Sequence, residues 1–327
     1  MGAFIVRRLL HTLPLLLVIS VAVFAVISLP PGDYLSVYIA QLEAQGNMTA
    51  RQEVAGLRER YGLDKPVYVQ YWKWISRFVQ GDMGQSFDYN LPVAQMIGQN
   101  ILLTVVLSLL TMAVSWLVAI PIGVYSATHQ YSIGDQVLTV LSFVGLATPN
   151  FLLALILLVV SVYLFNTSIG GLYSPGMDEA PWGLVKLWDL AKHLWLPVFL
   201  VGMGSTGSLV RIMRGNLLDV LGQQYVMSAR GRGLRESVVV WKHAVRMAIN
   251  PLVSMLGMSF PNIISGSIIV AIVLNLPVTG PMLYRALRTQ DMYLAGSYLM
   301  LLSVMLIVGN FLADLALAWV DPRITYE

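Results

Sequence analysis

The groups in this chain that could do chemistry are few and widely spaced. It has no cysteine and four histidines, His11, His129, His193 and His243, without an HExxH pattern or other metal-ligand spacing. The absence of cysteine excludes disulfides, thiolate metal sites and cysteine nucleophiles. No GxxxxGK(S/T) phosphate-binding loop occurs. We therefore expect no metal, no ATP and no other cofactor on this chain.

One acidic residue lies inside a long apolar run. Asp314 is about two helical turns from the end of the last such run. An ion-coupled carrier needs an ionisable residue near the bilayer midplane. The position of Asp314 favours polar contacts near the membrane interface over a proton relay. Serine–histidine, serine–lysine or paired-aspartate sites for intramembrane proteolysis are not evident. The apolar part therefore indicates a pathway whose energy comes from elsewhere.

Composition indicates an integral membrane protein. The chain is 57% hydrophobic and 11% charged, and its mean hydropathy is +0.71. Soluble domains are about 25% charged. The net charge is only +3, and the basic residues do not cover a whole domain face. We therefore expect contact with membrane lipid and none with nucleic acid.

Six segments are apolar and long enough to span a bilayer, which takes roughly 20 helical residues. They are Leu9–Leu29, Ile101–Ala127, Val137–Phe165, about His193–Val210, Pro251 to about Leu276, and about Leu294 to Val320. This pattern predicts an all-α protein of six transmembrane helices. Its parts are residues 1–29 with helix one, an external amphipathic segment 30–99, and a core of helices two to six, residues 100–327.

The external segment 30–99 is predicted to contain helices. Leu35–Tyr61 is amphipathic, and Val67–Phe78 carries five aromatic residues. Aromatic side chains concentrate at membrane–water interfaces. A helix lying on the membrane surface is therefore the favoured interpretation of Val67–Phe78, and substrate recognition is the alternative.

The charge of the chain is concentrated between the fourth and fifth apolar segments. Leu209–Pro251 contains seven basic residues and two acids, Asp219 and Glu236. The basic residues are Arg211, Arg214, Arg230, Arg232, Arg235, Lys242 and Arg246. Positive charge marks the cytoplasmic side of a membrane protein. With six spans, both termini are then cytoplasmic as well. Charge concentrated in one internal loop predicts that the loop is presented to a partner.

A short helix is predicted within this basic segment. The sequence from Tyr225 favours a helix up to Gly231, and Gly233 permits a turn that a β-carbon would hinder. A partner that pushes on such a helix would move the fourth and fifth segments together.

Positions 227–233 read M-S-A-R-G-R-G. They resemble the E-A-A-x-x-x-G loop of permeases in binding-protein-dependent ABC importers, with Ala229 and Gly233 retained. Met227 and Ser228 replace the Glu and the first Ala. QYVMSARGRGL (224–234) and HAVRMAINP (243–251) resemble the first-permease type of the oligopeptide/dipeptide/nickel subfamily. That subfamily reads D-Y-V-x-x-A-R-A-K-G-L and then H-A-x-R-N-A-x-x-P.

The resemblance extends along almost the whole chain. Arg7–Asp33 is similar to the subfamily's first helix, and Tyr61–Phe87 to an external segment that ends in G-D-x-G-x-S. ATPNF (147–151) resembles S-x-P-x-F, and VDPRI (320–324) matches D-P-R. One departure is that LPVTGPML (276–283) stands where the family has P-G-x-G.

The resemblance implies a type I ABC importer permease fold in a bacterial or archaeal cytoplasmic membrane. It implies a homologous second permease, two ABC ATPase subunits that bind ATP and Mg, and an extracytoplasmic solute-binding protein. Residues 211–250 would form the ATPase-coupling loop. The coupling residues would be Tyr225, Val226, Ala229, Arg230, Arg232, Gly233 and Leu234. Arg230 and Arg232 could instead anchor lipid phosphate or only set topology.

Residues for the pathway itself are harder to select. The candidates are Pro149, Asn150, Met255, Met258 and Asn262. A helix kink is the favoured explanation for the proline, with a pathway role as the alternative, and core packing is the commoner explanation for the methionines. Small residues of the fourth segment are predicted to permit close helix packing, with gating flexibility as the alternative. They are Gly202, Gly204, Ser205 and Gly207.

The substrate is the least determined property. The subfamily imports oligopeptides, dipeptides and nickel, and some members carry oligosaccharides. The uncharged helices lack the ligand cluster that a bare metal ion favours. Peptides are preferred over oligosaccharides as the substrate. ATP hydrolysis is expected on separate subunits, and no enzymatic activity is expected on this chain. A secondary carrier or channel, and a membrane scaffold, are the less favoured alternatives.

Overall fold

The computed structural model describes residues 2–28, 64–89, 91–166, 169–178, 180–255 and 268–320, without the side chains of residues 2–9, 11, 99, 165 and 313–320. The predicted all-α class is confirmed for this part of the chain. The α-helices are α1 (Gly2–Ser28), α2 (Val67–Val79), α3 (Val93–Thr128), α4 (Ile133–Ala147), α5 (Asn150–Phe165), α6 (Leu184–Leu221), α7 (Gln224–Gly231), α8 (Glu236–Val238), α9 (Val245–Ala248), α10 (Ile268–Val273), α11 (Thr279–Arg288) and α12 (Met292–Val320). A π-helical turn, Val239–Ala244, joins α8 to α9.

Several of these helices are long and apolar enough to cross a membrane. Among the described residues they are α3, α6 and residues Met292–Leu312 of α12, and α4 with α5 passes as a bent pair. The apolar part of α1, Thr12–Ser28, is shorter. The fifth predicted segment contains residues 256–267, which lie outside the described part. The count of six spans therefore stays a prediction, as do the domain boundaries.

The third predicted span is broken in the middle. α4 and α5 are bent by 94° at a break that contains Thr148 and Pro149. Proline disfavours helical geometry in the residue before it, and Thr148 is accordingly extended, with φ −81° and ψ 121°. The sequence predicted one span through Val137–Phe165 with a kink as the favoured role of Pro149, and the structure has a break at this position.

The fourth predicted span is much longer than its apolar stretch. α6 has 38 residues, where the sequence predicted a helix of about His193–Val210. At 1.5 Å per residue it is about 57 Å long. Arg211 and Arg214 therefore lie on this helix and not in a loop. Hydropathy underestimated the length of α6 because it detects only the apolar stretch. Many residues of this helix are buried by other parts of the protein, so the helix can continue where the sequence becomes polar.

The described residues form two compact units. The first comprises those within Met1–Leu103 and Val278–Ile307, and the second those within Thr104–Pro277 and Val308–Glu327.

In the first unit, α2 packs on α1 through aromatic rings. The Phe24 ring lies 5.5 Å from that of Tyr71 and 5.7 Å from that of Trp74. Trp74 is buried, whereas Tyr68 and Trp72 are exposed. The predicted helix is confirmed. The assignment of all its aromatic residues to the membrane surface is wrong for Tyr71 and Trp74, because they form the core with α1.

The first unit also holds a buried carboxylate. Asp291 precedes α12 and accepts hydrogen bonds from the Ser86 hydroxyl at 2.6 Å and from the backbone N–H groups of Asp88 at 3.2 Å and Leu294 at 3.1 Å. Burial raises the pKa of Asp291, and these hydrogen bonds oppose the rise. The carboxylate thus fastens the segment around Ser86 to the start of α12.

In the second unit, small residues allow α6 to lie close to α3 and α4. A β-carbon on Gly207 would lie 2.5 Å from the Ser142 carbonyl oxygen of α4, and one on Gly202 would lie 3.0 Å from the Ser115 hydroxyl of α3. The predicted close packing of the fourth segment is confirmed.

Candidate functional site

The helix predicted in the basic segment is α7, and it ends where the sequence indicated. It runs from Gln224 to Gly231, directly after the turn that ends α6. Gly233 has φ +74°, a conformation that strains residues with a β-carbon. No atom lies within 4 Å of where its β-carbon would be. The requirement for glycine there is conformational and does not come from crowding.

The inner face of α7 is fixed to the second unit. Val226 is 0% exposed and Ala229 is 3% exposed. Both belong to a hydrophobic cluster with Met213 and Leu217 of α6 and with Val239. These two predicted coupling residues therefore lie inside the protein, where they attach the helix to α6.

α7 and the helices that follow it expose both apolar and basic side chains. The exposed apolar residues are Tyr225, Met227, Leu234, Val238, Trp241 and Met247. The exposed basic residues are Arg230, Arg232, Arg235, Lys242 and Arg246. Aromatic residues, Met and Arg are enriched at protein–protein interfaces. We refer to these eleven residues as the α7 surface.

An ion pair crosses the α7 surface. The Arg230 Nη2 atom lies 2.7 Å from the Glu236 Oε1 atom, and both side chains are substantially exposed. The hydrogen bond from Arg230 lowers the pKa of Glu236. Exposed pairs of this kind contribute at most about 1 kcal/mol. Arg230 can therefore exchange Glu236 for a carboxylate on a partner at little cost.

Sequence reasoning missed the π-helical turn and Trp241 within it. Val239, Val240 and Ala244 are buried, so that Trp241 is turned outward with 52% of its surface exposed. π-helical turns occur frequently at functional sites. The signal available in the sequence was the apolar run Val238–Trp241 inside an otherwise polar segment.

The structure describes only some of the predicted pathway residues. Pro149 and Asn150 lie at the break between α4 and α5, where Asn150 begins α5. Met255 is half-buried. Met258 and Asn262 lie outside the described residues. Asp314 belongs to α12, but its side chain is outside the described part.

Metal-ligating groups are not clustered in the part of the chain that the structure describes. The α7 surface offers apolar and basic contact area that can receive a partner protein.

The long apolar helices define a helical, membrane-embedded protein. Residues 119–326 match the family described as "Binding-protein-dependent transport system inner membrane component". Residues 1–108 match the corresponding N-terminal family, "Binding-prot-dependent transport system membrane comp, N-term".

Relatives of similar length support this assignment. The chain is 35% identical to the oligopeptide transport system permease protein AppB of Bacillus subtilis, over 100% of both chains. It is 32% identical to the glutathione transport system permease protein GsiC of Salmonella typhi, over 99% of both. Its fold resembles a chain of the inward-facing MetNI methionine ABC transporter, with a TM-score of 0.55 and 13% identity over 70% of this chain and 98% of that one.

The chain therefore belongs to the inner-membrane permease components of binding-protein-dependent ABC importers. The family expected from the basic loop and its flanking motifs is confirmed, and so is the type I importer fold.

Proposed function

We propose that this chain forms half of the translocation pathway of an ATP-driven importer for oligopeptides or dipeptides. Relatives named as oligopeptide and glutathione permeases support a peptide substrate. A homologous second permease completes the pathway, and a solute-binding protein delivers the peptide from outside. Two ATPase subunits bind and hydrolyse ATP with Mg. The N- and C-termini and the α7 surface face the cytoplasm.

The attachment of α7 to α6 carries this proposal. Val226 and Ala229 belong to the same buried hydrophobic cluster as Met213 and Leu217. Since packed interiors transmit displacement with little compression, an ATPase that moves α7 also moves α6. Coupling of this kind needs a rigid attachment and no reactive group on the permease.

The α7 surface is the proposed ATPase contact. Tyr225, Met227 and Leu234 supply apolar area, and Arg230 and Arg232 supply charge that can meet acidic groups. Gly233 sets the turn that ends the contact. The pathway roles of Pro149, Asn150, Met255, Met258 and Asn262 remain part of the proposal.

Reconstitution of the complete importer in proteoliposomes tests the function. ATP hydrolysis and uptake are measured with dipeptides, oligopeptides, glutathione and oligosaccharides in the presence of the solute-binding protein. Peptide-dependent stimulation of both is expected. Uptake of oligosaccharides without uptake of any peptide would overturn the peptide assignment. Solute flux without ATPase subunits would favour a carrier or channel.

Two neighbouring glycines provide a matched test of the coupling site. Both Gly231 and Gly233 have open space around the β-carbon position, but only Gly233 has a positive φ. Gly233→Asp is expected to abolish uptake while membrane insertion remains intact. Gly233→Ala is expected to impair uptake, because a residue with a β-carbon strains the turn by about 1–2 kcal/mol. Gly231→Ala is the control and is expected to keep uptake. Normal uptake by Gly233→Asp would contradict the coupling role.

A further inference from the structure

A buried ion pair joins α4 to α6 about two turns before α6 ends. The Arg214 Nε atom donates to the Asp135 Oδ1 atom at 2.9 Å, and the Arg214 Nη2 atom donates to Oδ2 at 2.8 Å. The side chain of Asp135 is 4% exposed and that of Arg214 is 27% exposed. Two parallel hydrogen bonds between a guanidinium and a carboxylate fix orientation as well as distance. The pair therefore resists sliding of one helix along the other.

The carboxylate is set on a well-defined turn. The backbone N–H of Tyr131 donates to the Asp135 Oδ2 atom at 3.0 Å. The Ser132 hydroxyl accepts from the backbone N–H of Asp135 and caps α4. A β-carbon on Gly134 would collide with the hydroxyl of Tyr125 on α3. The turn from α3 to α4 is thus tight, and Asp135 is held by it.

The rest of the close contact between α4 and α6 is van der Waals packing around small residues. Gly207 of α6 lies against Ser142 and Leu146 of α4, and Gly145 of α4 lies against Met203 of α6. The bidentate pair adds to this packing a charged contact whose two hydrogen bonds fix the orientation of the side chains.

The arginine lies beside the residues that hold α7. Met213 and Leu217 of α6 are both 0% exposed and belong to the same cluster as Val226 and Ala229. Arg214 is between them in sequence. A displacement of α7 that moves this part of α6 therefore moves Arg214 as well, and the ion pair passes the movement to Asp135 of α4.

From these contacts we infer that Asp135 and Arg214 form a transmission clamp that makes α4 move together with α6 when α7 is displaced. They are positioning residues, since they act through the helices and touch no solute. With the clamp, the elements that move together are α7, α6 and α4, up to the break at Thr148 and Pro149 where α4 ends. This inference rests on the proposed function, because it specifies how the ATPase movement is distributed in the permease.

The test uses the complete importer with Asp135→Asn or Arg214→Gln in this chain. Both variants are expected to hydrolyse ATP at near the wild-type basal rate. Uptake per ATP hydrolysed is expected to fall by about 5- to 150-fold, the range of typical coupling interactions. A merely structural role would lower uptake and ATP hydrolysis in proportion. Arg214→Lys keeps the charge but not the bidentate geometry. Its uptake per ATP hydrolysed is expected to lie between that of the wild type and that of Arg214→Gln.

Arg211→Gln is the matched control. Arg211 is exposed on the same helix, one turn earlier, and its substitution removes the same charge. Wild-type uptake per ATP is expected for this variant. An equal loss in Arg211→Gln and Arg214→Gln would assign the effect to net charge and overturn the clamp.

A distance measurement separates failure of the clamp from failure of the proposed function. The chain has no cysteine, so spin labels can be attached at Val140→Cys on α4 and Asp219→Cys on α6. In the otherwise wild-type complex, the distance between the two labels is expected to be the same without nucleotide and with ATP. In the Asp135→Asn complex, ATP binding is expected to change this distance by about 1–2 Å, as for helices sliding at an interface. An unchanged distance in Asp135→Asn would overturn the clamp, whichever solute the importer carries.

Discussion

Two buried aspartates, one in each unit, are stabilised in different ways. Asp291 accepts hydrogen bonds from the Ser86 hydroxyl and from backbone N–H groups. Asp135 is bound in addition by the guanidinium of Arg214. Asp291 fixes a loop to the start of its own helix, whereas Asp135 joins two long helices. The comparison shows that uncharged hydrogen-bond donors suffice to hold a loop at Asp291, whereas at Asp135 an ion pair fixes the position of one helix along the other.

The largest effect on stability is expected at Asp291. Asp291→Ala leaves the Ser86 hydroxyl and the N–H groups of Asp88 and Leu294 without their acceptor. Each buried donor without a partner costs about 1–3 kcal/mol, so the free energy of unfolding should fall by about 3 kcal/mol or more. Chemical unfolding in detergent micelles measures this loss. Ser86→Ala removes one donor to the carboxylate and the acceptor of the Tyr89 N–H group. It should cost less than Asp291→Ala, about 2 kcal/mol, and equal losses in the two variants would contradict the comparison.

A double-mutant cycle at Asp135 and Arg214 should give the next largest effect. Each single substitution, Asp135→Asn or Arg214→Gln, is expected to cost about 2 kcal/mol, below the usual value for a buried pair because Arg214 is partly exposed. The double variant should recover part of that loss, with a coupling energy of about 1–3 kcal/mol. Strict additivity of the two losses would show that the pair is not an interacting unit.

The smallest effect is expected at the exposed pair of Arg230 and Glu236. Glu236→Gln should change the free energy of unfolding by less than about 1 kcal/mol. The pKa of Glu236 is lowered by Arg230 in the folded protein. Its contribution is therefore complete above the pKa of the unfolded state and is lost as the pH falls through the folded pKa. Unfolding measured across that pH range, at low and high salt, tests this; a salt-independent contribution would contradict an exposed pair.

The sequence predicted local features of the coupling region well. The end of α7 at Gly231 and the turn at Gly233 follow from backbone preferences of single residues, which act within a few positions. The close packing of Gly202 and Gly207 also follows from residue size alone. These predictions succeeded because they need no information about distant parts of the chain.

Predictions based on hydropathy were less accurate. Hydropathy gave too short a fourth helix, since residues buried by protein can be polar or small without ending a helix. It also did not show how sharp the break at Pro149 is, because apolar residues continue on both sides; the kink was expected from the proline and not from hydropathy. Arg214 was grouped with the basic loop, although in the folded protein it is bound to Asp135.

By itself, the sequence determined that this protein is a helical membrane permease of the binding-protein-dependent importer family, with a basic segment that contains a short helix. Those properties depend on composition, local backbone preference and motifs, which are read along the chain. The tertiary structure alone decided that Val226 and Ala229 face inward, that Trp241 faces outward, and that Arg214 meets Asp135. Such pairings join residues as far apart in sequence as positions 135 and 214, and only the packing of helices determines which distant side chains meet.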